Sequence, residues 1–538
     1  MAQTTSSGWN SVVNSSYRQL TTGVLMSWLK TLASGIQYFT INSSLIEGND
    51  ILKGGGSSVS FFDKYNYVDY AQYAKNWSVD RQIGQFPFGM IMAQADVELD
   101  NSSKKFLPGY DPTIASGILP NRPLKINLGF NQDSLTIFTG YTGQPQLSIR
   151  DRNVTLHAYD VMDYINNYSF VSTSGTTFSG MQINVTTASA IAYYLGKLGF
   201  NTSQYSLDPS LQDPIGFVNV TDRKFGDVLN DLVNAEQAIM FSDENGLPTF
   251  WNRQHFNTSS GLGVKFNFDY SNAVDIQYAN APIINDVIVK ASPRAVKPFQ
   301  QVYKQGDSQV INAGQSIEIF ATFTDDDGEL PVLSVVAPTY SATVVNTSYF
   351  SANTASDGSG TAKPTALTIS NTYLFGTSYK MTVTNTDSVD VYITAMEIYG
   401  NPAKVTQHIS ERYKDNSSID KYGHNPANNG EALEIANDYI QSSSDAQSLA
   451  FAIVSQYSAP NRHFTVEVFS HPELQIGDFG YLTIPDTNEI KRVWITGKTD
   501  KLAPEGNLTQ VLSLEERTLF TYFTINSSTI EGTDVIAP

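Results

Sequence analysis

Tyr38 to Ile51 reads YFTINSSLIEGNDI, and Tyr522 to Val535 reads YFTINSSTIEGTDV, identical at all but three positions. A solenoid repeats at short, regular intervals, so one pair at opposite ends of the chain excludes that architecture. What it admits is a fold with two equivalent docking grooves, related by an internal pseudo-symmetry. Phe39 and Ile41 alternate with Thr40 and Asn42, and Phe523 and Ile525 repeat the pattern, as a strand with one buried face requires. Ile46 and Ile530 each precede Glu-Gly, where Gly48 and Gly532 permit a turn at positive φ. The plainer reading is two strand-plus-turn segments of common composition, which identity this dense disfavours.

At 538 residues the chain exceeds what one hydrophobic core supports, so two to four domains are expected. Charged residues make up only 16%, and Ser, Thr, Asn and Gly fill the polar positions. With 12% aromatics, that mixture favours β-structure rich in turns. The net charge of −19 comes without any basic cluster, which argues against a nucleic-acid grip, although DNA can pass an acidic wall without adhering. There is no cysteine, so disulfides, thiolate metal sites and cysteine nucleophiles are excluded. Met1 to Ser7 lacks the basic region of a signal peptide, and no apolar run approaches the ~20 residues of a membrane span. The chain is expected to be soluble as made, with no membrane anchor.

Trp9, Val13, Tyr17, Leu20, Val24, Trp28 and Leu32 fall at helical spacing and predict an N-terminal amphipathic helix stopped at Gly35. Its stripe docks on its own domain or on a neighbouring subunit, and the spacing leaves both open. This helix, the first repeat copy and the linker KGGGSS occupy residues 1–58. Short strand-like runs between Met92 and Tyr159, punctuated by Asp100-Asn101, Pro108-Gly109 and Pro120 to Pro123, predict a first barrel or sandwich over 59–175. Helical stripes at Thr187 to Leu198 and Phe225 to Val233, then an Asn245-Gly246 hairpin, predict an α+β module over 176–296. Alternation at Ile317 to Phe323 and from Met381 to Tyr399 predicts an inserted β-sandwich over 297–402. A helix capped by Asp445, and strands at Phe464 to Val468, Phe479 to Ile484, Val493 to Thr496 and Thr509 to Leu514, predict a second barrel-like set over 403–517. Residues 518–538 carry the second repeat copy.

Catalytic patterns are missing. The six histidines share no metal-ligand spacing, and the zinc-protease helix, P-loop and Gly-x-Ser-x-Gly elbow do not occur. The best ion site is the acidic turn at Asp325, Asp327 and Glu329, whose oxygens suit a hard cation such as Ca²⁺. A solvated loop tip is the plainer account, because the twelve-residue calcium-loop pattern is absent. Tyr340, Tyr349, Phe350, Tyr373 and Phe375 are available in the insert to stack on sugars, but core packing explains most such residues. Neither an enzyme nor a cofactor is expected.

A series of motifs carries a family resemblance. Ala95 to Asn101 (ADVELDN) is followed by Phe106, Pro108 and Asn121-Arg122-Pro123-Leu124. Then come Ile137-Phe138-Thr139-Gly140-Tyr141 and Val154-Thr155-Leu156-His157-Ala158-Tyr159-Asp160. This order resembles the baseplate hub, or minor tail, proteins of siphophages that infect actinobacteria. The resemblance continues through Asp222 to Arg253, Ser418-Ile419-Asp420-Lys421-Tyr422-Gly423, Ala446 to Ala450, Pro460 and Gly477-Asp478. It ends at Phe523 to Val535, where Ile530 and Glu531 replace the usual Leu and Asp.

The resemblance implies a structural virion protein at the tail tip. It implies a mainly β fold with α+β parts, in which two tail-tube-like β-barrel domains act as paired building blocks. Three chains would then form a pseudo-hexagonal ring, a homotrimer, with DNA passing its lumen without specific binding. Its implied partners are the distal tail protein, the tape measure protein and a tail fibre or receptor-binding protein. The competing roles are a distal tail protein, a tail protein that binds host-surface glycans and, last, a tail-associated cell-wall hydrolase.

Overall fold

The structure is a computed structural model that describes Gln3, Thr5, Trp9, Phe62 and residues 20–29, 65–83, 89–114, 117–130, 133–169, 181–220, 223–256, 263–326 and 328–516. Its framework is one fourteen-stranded sheet. From one edge the order runs Ala273–Asn280, Arg462–Val468, Leu508–Glu516, Glu489–Leu502, Ala74–Gln82, Gln94–Asp100 and Asn153–Tyr159. It continues through Asp133–Thr142, Pro123–Phe130, Leu20–Met26 and Val68–Asp69. Phe479–Ile484 joins Glu489–Leu502 from the side and pairs in turn with Phe266–Phe268. Among the described residues these pairings form one continuous run of strands and close no barrel.

Strand periodicity explains why the sheet is buried on one side. In Gln94–Asp100, Ala95, Val97 and Leu99 point inward, and in Asn153–Tyr159 so do Val154, Leu156 and Ala158. The antiparallel register sets Ala95 opposite Ala158, Val97 opposite Leu156 and Leu99 opposite Val154, so the apolar rows coincide. Phe106, Trp77 and Phe138 complete that core. A second core, built on Phe464, Val466, Leu482, Val493 and Leu512, lies under the C-terminal strands.

The segment around Val24, expected to be helical, is a strand. Leu20–Met26 pairs along its whole length with Pro123–Phe130. Thr21, Thr22 and Val24 are β-branched, and Val24, Met26 and Trp28 are buried at every second position, so a period of two overrides the helical spacing. Trp9 is buried against Phe130, with ring centroids 5.7 Å apart. At that residue the stripe docks on its own chain.

Between the two strand sets sits the α+β part, with helices Val161–Asn167, Thr187–Lys197, Phe225–Ala235 and Ser443–Tyr457 around one core. The expected hairpin is present, with Ile239–Ser242 pairing antiparallel with Pro248–Trp251. Ser442, rather than Asp445, caps the last helix, its hydroxyl accepting from the Asp445 N–H at 3.0 Å. This core is discontinuous in sequence. It takes Val287, Val289 and Ala291 from Asp286–Ala291, which pairs with Ile409–Lys414 and Leu433–Ala436. Phe266–Phe268 and Ala273–Asn280, ahead of the insert, belong to the large sheet.

The insert is a sandwich. One layer is Ser316–Thr322, Ser378–Asn385 and Leu367–Leu374, and the other is organised on the fifteen-residue strand Val391–Val405. Ile319, Phe323, Phe350, Met381 and Ile393 fill the space between.

Candidate functional site

The most informative place in the molecule is the seam where the two strand sets meet. Ala74–Gln82 pairs on one side with Gln94–Asp100 and on the other with Glu489–Leu502. The latter strand changes partner along its length. Up to Trp494 it pairs with Phe479–Ile484, and from Gly497 onward with Ala74–Gln82. A bulge between Ile495 and Gly497 marks the handover. At Gly497 an added Cβ would lie 3.0 Å from that of Ser513 and 3.1 Å from Gln82 Cγ, so glycine keeps the three strands close.

Inward, the seam buries charge. Trp77 faces Leu502, Val79 faces Asp500 and Arg81 faces Lys498, all of them buried. Two cations side by side in a core require compensation. Lys498 Nζ donates to the carbonyls of Pro472 and Leu474 at 3.0 and 2.9 Å, and lies 3.5 Å from Asp500. Asp500 in turn accepts from Gln510 at 2.8 Å. Arg81 donates to Gln475 Oε1 at 2.8 Å and to the Ser242 carbonyl at 3.4 Å, with Glu244 at 3.6 Å. Arg81 therefore ties the first strand set to the second and to the Ile239–Trp251 hairpin. Beside it, burial and the neighbouring Glu244 push the Asp243 carboxyl up to about 6.

Outward, the same strands form a mostly hydrophilic face, interrupted at Val511. Ser78 lies between Lys501 and Asp96, and Asp80 between Thr499 and Gln94. The rows continue through Val511 and Ser513 to Thr465 and Glu467, then to Gln277 and Asp275 at the edge. In the other direction they reach Thr155 and His157. Asp80 accepts from Thr499 at 3.1 Å, and Asp96 is bonded to His157. Glu98 accepts from Asn76 and Asn153, whose hydrogen bonds hold its carboxyl below the ordinary range.

The sequence motifs mostly build this framework. Gly140 approaches the neighbouring strand so closely that a Cβ would lie 2.2 Å from the Tyr159 carbonyl oxygen. Asn101 is buried and accepts from the Phe106 N–H at 2.9 Å, closing the loop after the acidic strand. Gly477 has φ 85° and lies against the Trp251 ring, while Asp478 accepts from the Gln475 N–H at 2.8 Å. Ser418 and Gly423 belong to a buried polar knot. Asn285 donates to Ser418 Oγ and the Gly423 carbonyl, and Asn425 donates to the Asp286 carbonyl. Burial works against ionisation of Asp286, but hydrogen bonds from Arg412 and His424 prevail and lower its pKa.

Of the acidic turn, Asp325 is half-buried at the end of Thr324–Asp325, which pairs with Gly328–Glu329. Asp327 lies outside the described residues. Among the described residues no three His, Asp or Glu side chains come together in a way that holds a metal ion. The residues proposed as repeat strands, Phe39, Ile41, Ile46, Gly48, Phe523, Ile525, Ile530 and Gly532, also lie outside the described residues. Of the insert aromatics available to stack on sugars, Tyr349, Phe350 and Phe375 are buried, as core packing requires. Sequence reasoning missed the seam strand Ala74–Gln82, whose alternation Trp77, Val79, Arg81 ends on a charge.

No family model matches the chain, and no curated protein does. Among solved structures it is similar to a 43 kDa tail protein of prophage MuSo2 from Shewanella oneidensis, at 9% identity and TM-score 0.42, over 84% of this chain and 94% of that one. It is similar to a tail protein from Neisseria meningitidis at 9% identity and TM-score 0.43, over 84% and 94%. A prophage tail protein from Listeria monocytogenes gives 8% identity and TM-score 0.38, over 84% and 93%. These scores are too low to assign a fold, so a functional reading rests on the chain's own residues.

Proposed function

We propose that this protein is a structural hub of a bacteriophage tail tip, of the siphophage type, and that three copies form a ring continuing or closing the tail tube. The observation that carries the reading is the seam. Two strand sets of one chain share a continuous sheet, apolar or charge-compensated on the inner side and mostly hydrophilic on the outer. Such a sheet serves as a wall segment contributed by two strand sets, and three chains then supply six sets around a ring by cyclic symmetry. Its outer rows carry Asp80, Asp96, Glu98, Glu467 and Asp275 against Lys501 and His157, with serines, threonines, glutamines and Val511 between them, a net acidic lining that repels DNA phosphates instead of binding them. The distal tail protein, the tape measure protein and a fibre or receptor-binding protein are the expected neighbours.

The near-identical segments Tyr38–Ile51 and Tyr522–Val535 serve as assembly strands that add to sheet edges in equivalent positions. The edge strand Ala273–Asn280 offers one such acceptor, with Tyr278 61% and Val274 54% exposed. Cryo-electron microscopy of assembled particles tests the reading, with a trimeric ring at the distal tube end expected. A hexamer points instead to a distal tail protein and overturns the hub assignment. Deleting residues 522–538 should abolish ring formation. An intact ring that no longer recruits its distal neighbour refutes the edge-adding role.

A further inference from the structure

We propose that the tyrosine-lined cavity between the first strand set and helix Val161–Asn167 binds a short neutral saccharide. The cavity measures about 550 Å³, inside the range of roughly 300–1,000 Å³ typical of small-ligand sites. Five tyrosines line it: Tyr65, Tyr141, Tyr159, Tyr164 and Tyr168. Tyr159 and Tyr164 are 41% and 38% exposed, whereas Tyr141 is half-buried. The rings of Tyr164 and Tyr168 stand 6.0 Å apart at 58°, making an aromatic corner. A pyranose has two apolar C–H faces and a polar hydroxyl edge, and tyrosine offers the matching pair of an apolar ring and a polar tip.

The remaining lining fits the hydroxyl edge. Asn121, Thr142, Asp163 and Asn167 bring amide, hydroxyl and carboxylate groups to the same space. Asn167 Nδ2 donates to Asp163 Oδ1 at 3.0 Å, which orients the carboxylate and leaves its other oxygen to accept from a ligand hydroxyl. Among the described residues no lysine, arginine or histidine lines the cavity and the Asp163 carboxyl does, so an anionic sugar or a phosphate finds no cationic partner there. A cationic ligand is also disfavoured. Asp160 already accepts from the Met162 and Ala93 N–H groups at 2.9 and 2.8 Å, and burial raises its pKa, so it offers a cation little negative charge. What remains is a neutral polyol site. It lies away from the insert, whose candidate aromatics are mostly buried, and it does not depend on the tail-tip reading.

The test is ligand-observed NMR and calorimetry on the full-length chain with maltose, cellobiose, lactose and chitobiose at up to about 10 mM. At least one is expected to bind. Tyr164→Ala and Asp163→Ala should each weaken binding by roughly tenfold, while Tyr340→Ala in the insert leaves it unchanged. Circular dichroism verifies folding, and Tyr159→Ala, at the exposed mouth, replaces any variant that misfolds. The proposal is overturned if none of the sugars binds, if binding survives the tyrosine substitutions, or if tetramethylammonium binds and the sugars do not.

Discussion

Asp160 links folding stability to pH with a sign opposite to that of most carboxylates. Its side chain caps helix Val161–Asn167 and is buried. Burial raises its pKa from 3.8 to about 7, against the pull of the Ala93, Met162 and Asp163 N–H groups and of Arg81. In the unfolded chain the group ionises near 4. Between about pH 4 and 7 the folded state therefore holds a proton that the unfolded state has lost, so this contribution is greatest at low pH and disappears as pH rises through 7. At 1.36 kcal/mol per unit, the difference of about three units corresponds to about 4 kcal/mol across the window. Asp160→Asn removes the titration. The amide oxygen still accepts one N–H, and the lost second bond lowers stability by about 1–3 kcal/mol at every pH. Urea denaturation of both proteins at pH 5, 6, 7 and 8, followed by circular dichroism, isolates the effect. The variant should lie furthest below the wild type at pH 5 and gain on it by about 3 kcal/mol by pH 8. Glu98 and Asp111, whose pKa values are lowered by their hydrogen bonds, act on both proteins equally and cancel. A stability difference that stays constant across the four pH values refutes the reasoning.

Three further outcomes follow from the geometry. Gly140→Ala drives a methyl into the Tyr159 carbonyl and should lower stability by about 1–3 kcal/mol, seen as a melting temperature several degrees lower; an unchanged melt contradicts the close approach. Arg81→Met leaves Glu244 without its buried partner and should destabilise by about 3–5 kcal/mol, with Glu244→Gln restoring part of the loss; equal denaturation midpoints for wild type and Arg81→Met would remove the clamp role. Asn219→Ala breaks the 3.0 Å bond to the Phe375 carbonyl that fastens the sandwich to the α+β part. It should cost about 1–3 kcal/mol and widen the small-angle scattering envelope; a superimposable profile argues that the insert is held by its connecting strands alone.

Segments that bury an uninterrupted apolar stripe were legible in the sequence. The helices Thr187–Lys197 and Phe225–Ala235, the Asn245-Gly246 hairpin and the strand Phe479–Ile484 all match their expected positions. The seam was not legible, for a physical reason. Its inward positions include Arg81, Lys498 and Asp500, charges that become tolerable in the interior only through partners supplied by distant loops. Hydropathy registers such residues as surface, so Ala74–Gln82 passes unnoticed and Glu489–Leu502 is truncated to its middle, Val493 to Thr496. Leu20–Met26 failed differently, because a stripe of seven residues fits periods of two and of 3.6 nearly equally well. The tyrosine cavity draws residues from separate strands, a loop and a helix, and no spacing along the chain announces it.

The seam also imposes an order of events on biosynthesis. Asp80 and its partner Thr499 are 419 residues apart. At about 5–20 residues per second a ribosome needs roughly 20–80 s to bridge that interval. Throughout it the far edge of Ala74–Gln82 waits unpaired, and an open strand edge is a template for the wrong partner. Asp80 and Gln82 on its outer rows, and the inward charge of Arg81, make that edge a poor match for an apolar strand. The same charges that hide the seam from hydropathy thus guard the nascent chain until its own C-terminal strands emerge.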